Sequence, residues 1–188
     1  FDHEAPDAST GESISACTPI SSITLQGNTP VFPAVGTWSG PSGTIVDPND
    51  PASAVEGLGV GQFEFTWTID NGACGTSSAA QTVLIYDDTA PDANAGPDQE
   101  QCTPDSDADL AGNAVVFPAT GVWTVIAGTG VFADPTSPTT TVSGLGGDTN
   151  TFRWTITNGP CGTTEDDVTI TIFNDQQPLA NAGADQQL

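Results

Sequence analysis

Lysine and methionine are absent from the 188 residues, and arginine and histidine occur once each, as Arg153 and His3. Without lysine the chain cannot form the Lys–Asn isopeptide staples that stiffen pilin-like surface proteins. One histidine, one arginine and no lysine leave no nucleophile–base pair and no cationic oxyanion clamp, which excludes the common hydrolytic chemistries. Paired carboxylates are too common on such a surface to signal glycoside hydrolysis. No Cys-x-x-Cys occurs, which argues against zinc. No Asn-x-Ser/Thr sequon occurs either. No apolar run is long enough to cross a bilayer and no signal peptide is present, so both the export signal and any anchor are expected outside this window. Twenty-four acidic residues against Arg153 give a net charge of −23. That field repels nucleic-acid phosphates and anionic membranes, and it favours solubility, high salt or divalent cations.

What is present is a repeat. Cys17-Thr18-Pro19 returns 85 residues later as Cys102-Thr103-Pro104, and Leu25, Gly27-Asn28, Phe32-Pro33, Gly36 and Trp38 return at the same offset. From Asp47-Pro48 onward the offset is 87: Trp67-Thr68-Ile69 matches Trp154-Thr155-Ile156, and Cys74-Gly75-Thr76 matches Cys161-Gly162-Thr163. Two extra residues therefore lie between Trp123 and Asp134, where a loop can absorb them. Ala5-Pro6-Asp7-Ala8 also matches Ala90-Pro91-Asp92-Ala93, and Asn94-Ala95-Gly96 returns as Asn181-Ala182-Gly183. The expected organisation is residues 1–13 as the tail of a preceding repeat and linker, 14–92 as repeat 1, 93–178 as repeat 2, and 179–188 as the start of another. Both ends are then expected to be cuts in an array.

Helical periodicity is missing, while strand alternation is clear. Phe63, Phe65, Trp67 and Ile69 share one face with polar residues between them, and Phe152, Trp154 and Ile156 repeat that face. Each run ends in Asn71-Gly72 or Asn158-Gly159, a strong hairpin signal, and a partner strand follows through Val83 and Ile85, or Val168, Ile170 and Ile172. Short strands between Gly, Pro, Asn and Asp turns predict an all-β fold of two antiparallel sheets per repeat. Trp38, Trp67, Trp123 and Trp154 are expected in the two cores, the alternative being carbohydrate stacking at Trp38 or Trp123.

A domain of about 86 residues buries a marginal core, so a staple is expected. Four cysteines, two per copy, point to an oxidising extracellular compartment. Connectivity cannot be read from sequence. Equivalent positions favour Cys17 with Cys74 and Cys102 with Cys161, the alternative being pairing between neighbouring repeats.

Acidic clusters supply the candidate metal sites. Asp87, Asp88 and Asp92 stand where one copy meets the next, and hard carboxylate oxygens there suit Ca²⁺. The equivalent stretch Phe173-Asn174-Asp175-Gln176-Gln177-Pro178-Leu179 has lost two of the three carboxylates, which favours a solvated linker stiffened by proline. Asp105-Ser106-Asp107-Ala108-Asp109 opens like an EF-hand loop but lacks the central glycine and the closing glutamate, and reads as a solvated loop.

The phrases Ala93-Asn94-Ala95-Gly96-Pro97-Asp98-Gln99 and Phe152-Arg153-Trp154-Thr155-Ile156-Thr157-Asn158-Gly159-Pro160-Cys161, with Asp166-Asp167-Val168-Thr169-Ile170, resemble PKD-like, immunoglobulin-like repeats. These occur in very large cell-surface proteins of Bacteroidota exported by type IX secretion and associated with gliding motility. The Trp-Asp-Phe-Gly-Asp-Gly signature of standard PKD domains is absent, so the likeness is to a variant. It implies tandem β-sandwiches in a linear array within an adhesin or extracellular filament. The alternative it implies is a spacer or carbohydrate-binding module of a secreted polysaccharide-degrading enzyme. Partners implied are neighbouring repeats, lateral copies in a fibre and a surface polysaccharide, with no nucleic acid and no membrane insertion in this segment. Asp88-Thr89-Ala90 matches the pattern on which these bacteria attach O-linked glycans, which makes Thr89 a candidate glycosylation site.

Overall fold

The computed structural model describes residues 7–175. Within the first copy seven strands follow one another: β1 Ile14–Cys17, β2 Ser22–Thr24, β3 Val35–Ser39, β4 Thr44–Ile45, β5 Ala54–Glu56, β6 Gly61–Asp70 and β7 Thr76–Tyr86. The second copy has β8 Gln99–Cys102, β9 Ala108–Asp109, β10 Thr120–Ala127, β11 Val131–Phe132, β12 Thr141–Ser143, β13 Asp148–Thr157 and β14 Thr163–Phe173. There is no α-helix among the described residues.

The first sandwich faces a sheet ordered β1-β7-β6-β3 with one ordered β2-β5-β4. Consecutive strands cross between these sheets at β1–β2, β2–β3, β3–β4 and β5–β6, the connectivity of immunoglobulin-like sandwiches. The second copy repeats it, with sheets β10-β13-β14-β8 and β11-β12-β9.

Alternation along the long strands places the core. Phe65, Trp67 and Ile69 of β6 and Val83 and Ile85 of β7 are buried, facing Ile23, Leu25 and Val55 from the opposite sheet. Trp38 stands directly opposite Trp67 in the β3–β6 ladder, their rings 5.0 Å apart and tilted by 41°. Trp123 and Trp154 repeat the pair at 5.1 Å and 38°. All four indoles are buried. Three spend their N–H on loop carbonyls: Trp38 on Pro51, Trp67 on Asn28, and Trp123 on Ser137 and Pro138. Such large rings need backbone without side chains beside them. A Cβ at Gly36 would fall inside the Trp67 indole, and one at Gly27 would lie 2.9 Å from it.

Two local features depart from the expected pattern. The Asn71-Gly72 hairpin is not a two-residue turn: Asp70 pairs with Thr76, leaving five residues that form a 3₁₀ turn over Gly72–Cys74. Asn71 keeps φ at −109°, and the positive values fall on Gly72 and Gly75. The two extra residues of the second copy are absorbed partly in strand, since β10 has eight residues where β3 has five. The loop beyond β10 is tied down by the buried Asn150, whose Oδ1 accepts from the N–H groups of Thr129 and Gly146 while its Nδ2 donates to the Gly146 carbonyl.

The chain forms two compact units. One takes in the first copy up to Asp92 together with Ala114–Gly121 and Ile156–Thr164; the other takes in Ala93–Asn113, Val122–Thr155 and the chain from Glu165 on. The tip of the β13–β14 hairpin therefore belongs to the first unit.

Gly36→Ala should cost about 1–3 kcal/mol by forcing Trp67 off its seat. Ser39→Ala, exposed on the same strand, should stay within about 0.5 kcal/mol. Urea unfolding followed by tryptophan fluorescence reads both, and equal stabilities would refute the packing account.

Candidate functional site

The joint in the first unit is built from the end of one sheet and the tip of one hairpin. Strand β1 runs parallel to β7, in register from Ile14↔Val83 to Cys17↔Tyr86. The pairing continues one step further, where the Thr18 N–H donates to the Tyr86 carbonyl at 2.9 Å. The Thr18 hydroxyl then accepts from the Asp88 N–H at 3.1 Å, tethering the outgoing chain. Against this end lies the 3₁₀ turn Gly159–Cys161. Gly159, at φ +52°, offers bare backbone to the Tyr86 ring, and a Cβ there would overlap it. The Asn158 side-chain amide donates to the Asp87 carbonyl at 2.8 Å. Cys161 is thereby delivered to Cys17, and the two form a disulfide with Cα atoms 5.6 Å apart.

This corrects the expected staples. Cys17 is not joined to Cys74, nor Cys102 to Cys161; Cys74 and Cys102 are free and exposed. The cause is the parallel edge strand. Cys17 lies at the end of β7, opposite Tyr86, whereas Cys74 precedes its first residue, Thr76. Ten strand steps at about 3.3 Å place those ends roughly 33 Å apart, and a disulfide needs Cα atoms within about 7 Å. Cys102 opposite Phe173 and Cys161 before Thr163 are separated in the same way along β14.

The expected calcium set is not assembled. Among the described residues, the one group of three or more His, Cys, Asp or Glu ligand atoms within 4.8 Å of one another is Cys17, Asp88 and Cys161, and both sulfurs are committed to the disulfide. The Asp87 carboxylate instead accepts from the Thr89 hydroxyl at 2.7 Å and the Thr89 N–H at 2.9 Å, which hold its pKa below the ordinary value. Asp88 and Asp92 line a pocket of about 70 Å³ beside Asn158 and Cys161, well below the roughly 300–1,000 Å³ of small-molecule sites. In the acidic loop, Asp109 accepts from the Thr141 hydroxyl across the β9–β12 pair. Thr89 is exposed.

Arg153 lies on β13 with its side chain 33% exposed and is held by two carboxylates of β14. Its Nε and Nη2 donate to the two Asp167 oxygens at 2.7 and 2.9 Å, and its Nη1 donates to Glu165 at 2.7 Å. The Arg153 hydrogen bonds hold the Asp167 carboxyl below its ordinary value.

No protein-family model matches the chain, and no curated protein matches it. Among solved structures, the N-terminal four immunoglobulin domains of Dscam1 isoform 4.44 align over 90% of this chain and 46% of that one, at 14% identity and a TM-score of 0.51. The fold is that of tandem immunoglobulin-like sandwiches. Single PKD domains also align: one from the KIAA 1837 protein at 21% identity (50% of this chain, 96% of that one, TM-score 0.42), and one from human KIAA0319 at 17% (48% and 87%, TM-score 0.39). The chain carries two copies of that sandwich and, among the described residues, the Cys17–Cys161 disulfide.

Opening the Cys17–Cys161 loop, 144 residues in sequence separation, removes a constraint worth about 5 kcal/mol in the chain-entropy model. Cys17→Ser or Cys161→Ser should therefore cost about 2–5 kcal/mol of stability in urea, while Cys74→Ser should change it by less than about 0.5 kcal/mol. The Asp167 carboxyl, followed by carbon-detected NMR, should titrate below 3.8 and move back toward that value in Arg153→Gln. Because its folded pKa is depressed, the pair's contribution is present above the unfolded value and is lost as pH falls through the lower folded one.

Proposed function

We propose that the chain is a spacer and load-carrying segment of an extracellular surface fibre or adhesin, with 14–92 and 93–178 as its repeating covalent units. The observation that carries this reading is the disulfide between Cys17 and Cys161, which joins residues of the two copies. A pull applied to the two ends travels from Cys17 across the sulfur bridge to Cys161. The residues between them are left outside the load path. The acidic exterior, −23 overall, keeps such segments from aggregating through mutual repulsion. Export by the type IX route and an O-glycan on the exposed Thr89 belong to this reading and rest on the resemblance. Burial of Trp38 and Trp123 leaves neither indole face open to stack on a sugar, as the carbohydrate-stacking reading of these two residues would need.

Single-molecule extension tests the proposal. With the disulfide intact, residues 18–160 should not contribute to the stretched length. A reducing agent should release roughly 50 nm more, at about 3.6 Å per residue. Equal lengths with and without reductant would overturn the load-path reading. Micromolar binding to a polysaccharide by the isolated chain would favour the module instead.

A further inference from the structure

Each element of the joint occurs twice in the sequence but is used once. Cys102 occupies the place of Cys17, and Cys74 the place of Cys161. The end of the second copy carries the receiving half already formed. Cys102 pairs with Phe173 as Cys17 pairs with Tyr86. The Thr103 N–H donates to the Phe173 carbonyl at 2.9 Å, and the Asp175 N–H donates to the Thr103 hydroxyl at 3.1 Å. The hairpin of the first copy carries the inserting half: the same 3₁₀ turn over Gly72–Cys74, with Gly72 at φ +59°.

Exposure identifies which halves are occupied. Gly159 is filled by the Tyr86 ring, whereas a Cβ at Gly72 would meet nothing within 4 Å. Cys17 and Cys161 are half-buried, but Cys74 and Cys102 are exposed. The loop before β10, which belongs to the first compact unit, shows the same contrast with its counterpart before β3. Val116 and Phe117 are 37% and 63% exposed, while Val31 and Phe32 are 84% and 93% exposed. Pro118 is buried and Pro33 is exposed.

We infer that Cys102 with Phe173, and Cys74 with Gly72 and Phe32, are the complementary halves of a second joint of the Cys17–Cys161 kind. The partner at each is another repeat of this same kind, joined head to tail and sealed by a disulfide. In the sealing step the Cys74 and Cys102 thiols lose two protons and two electrons. One S–S bond forms, and a low-molecular-weight disulfide such as oxidised glutathione is reduced to two thiols. The inference deepens the fibre reading by naming the neighbour, but it fails separately: a chain whose hidden length appears on reduction, yet which never joins head to tail, leaves that reading standing.

A second copy of the chain serves as the probe. The intact protein is incubated at high concentration in a glutathione redox buffer, and its cross-links are mapped without reduction after cleavage with Glu-C and Asp-N, which cut at acidic residues between Cys102 and Cys161. Linked dimers and longer ladders are expected, with the Cys74–Cys102 bond at least tenfold more abundant than Cys74–Cys74 or Cys102–Cys102. Gly72→Asn tolerates the positive φ and adds a Cβ in open space, but it places that atom where the partner's Phe173 ring must sit. It should leave the monomer's melting temperature unchanged and lower the Cys74–Cys102 yield at least fivefold. Statistical mixtures of the three bonds, a Cys74–Cys102 bond inside one monomer, no linked species, or a yield unaffected by Gly72→Asn would each overturn the inference.

Discussion

Four residues of parallel ladder, from Ile14↔Val83 to Cys17↔Tyr86, set the chemistry of the chain. An antiparallel edge strand would have run the other way along β7 and brought its cysteine toward the hairpin tip. The parallel one carries Cys17 to the far end, beside the residue that leads out of the sandwich. Everything in the joint depends on that placement: the Thr18–Tyr86 and Thr18–Asp88 hydrogen bonds, the Tyr86 ring over Gly159, and the bond to Cys161. Because β8 pairs with β14 in the same register, from Gln99↔Ile170 to Cys102↔Phe173, the device recurs.

The cores and the surface make opposite demands. A domain of this size buries only about 60% of its unfolded surface, and the self-repulsion of a strongly acidic exterior works against compaction. Each sandwich answers with two tilted indoles flanked by glycine, which gives a large apolar contact from few residues. Arg153, the one strong cation, is held by both Asp167 and Glu165, so it relieves repulsion along β14 locally.

Features set by side-chain alternation were legible in the sequence. Phe65, Trp67 and Ile69 share a buried face because the strand period is two, and internal repetition gave the same reading twice. The disulfide was not legible, because spacing carries no information on which end of β7 an edge strand reaches. Asn71-Gly72 signalled a hairpin, but a tight turn needs positive φ at both residues, and the five-residue loop satisfies the chain with glycines alone. Asn150 was missed for a plainer reason: it takes the place of Phe63 in a strand whose alternation calls for an apolar residue. Its role follows from the Thr129 and Gly146 backbone it serves, which lies in other loops. Asp87, Asp88 and Asp92 are neighbours in sequence, but the turn commits the Asp87 carboxylate to the Thr89 hydroxyl and N–H.

Separation of Cys17 from Cys74 also bears on how the chain matures. Of the three other cysteines in this stretch, Cys74 follows Cys17 soonest as a chain is delivered from its N-terminus, Cys102 comes next, and the native partner Cys161 comes last. The strands of the first sandwich are complete once Tyr86 has emerged, well before Cys161. Folding of β6 and β7 then moves Cys74 to the far end of the strand while the correct thiol is still to come. The β-sheet acts as an editor of the oxidation, discarding the early pairing by distance alone. Such a chain needs the repeat that holds Cys17 and Cys74 to fold faster than its surroundings oxidise it.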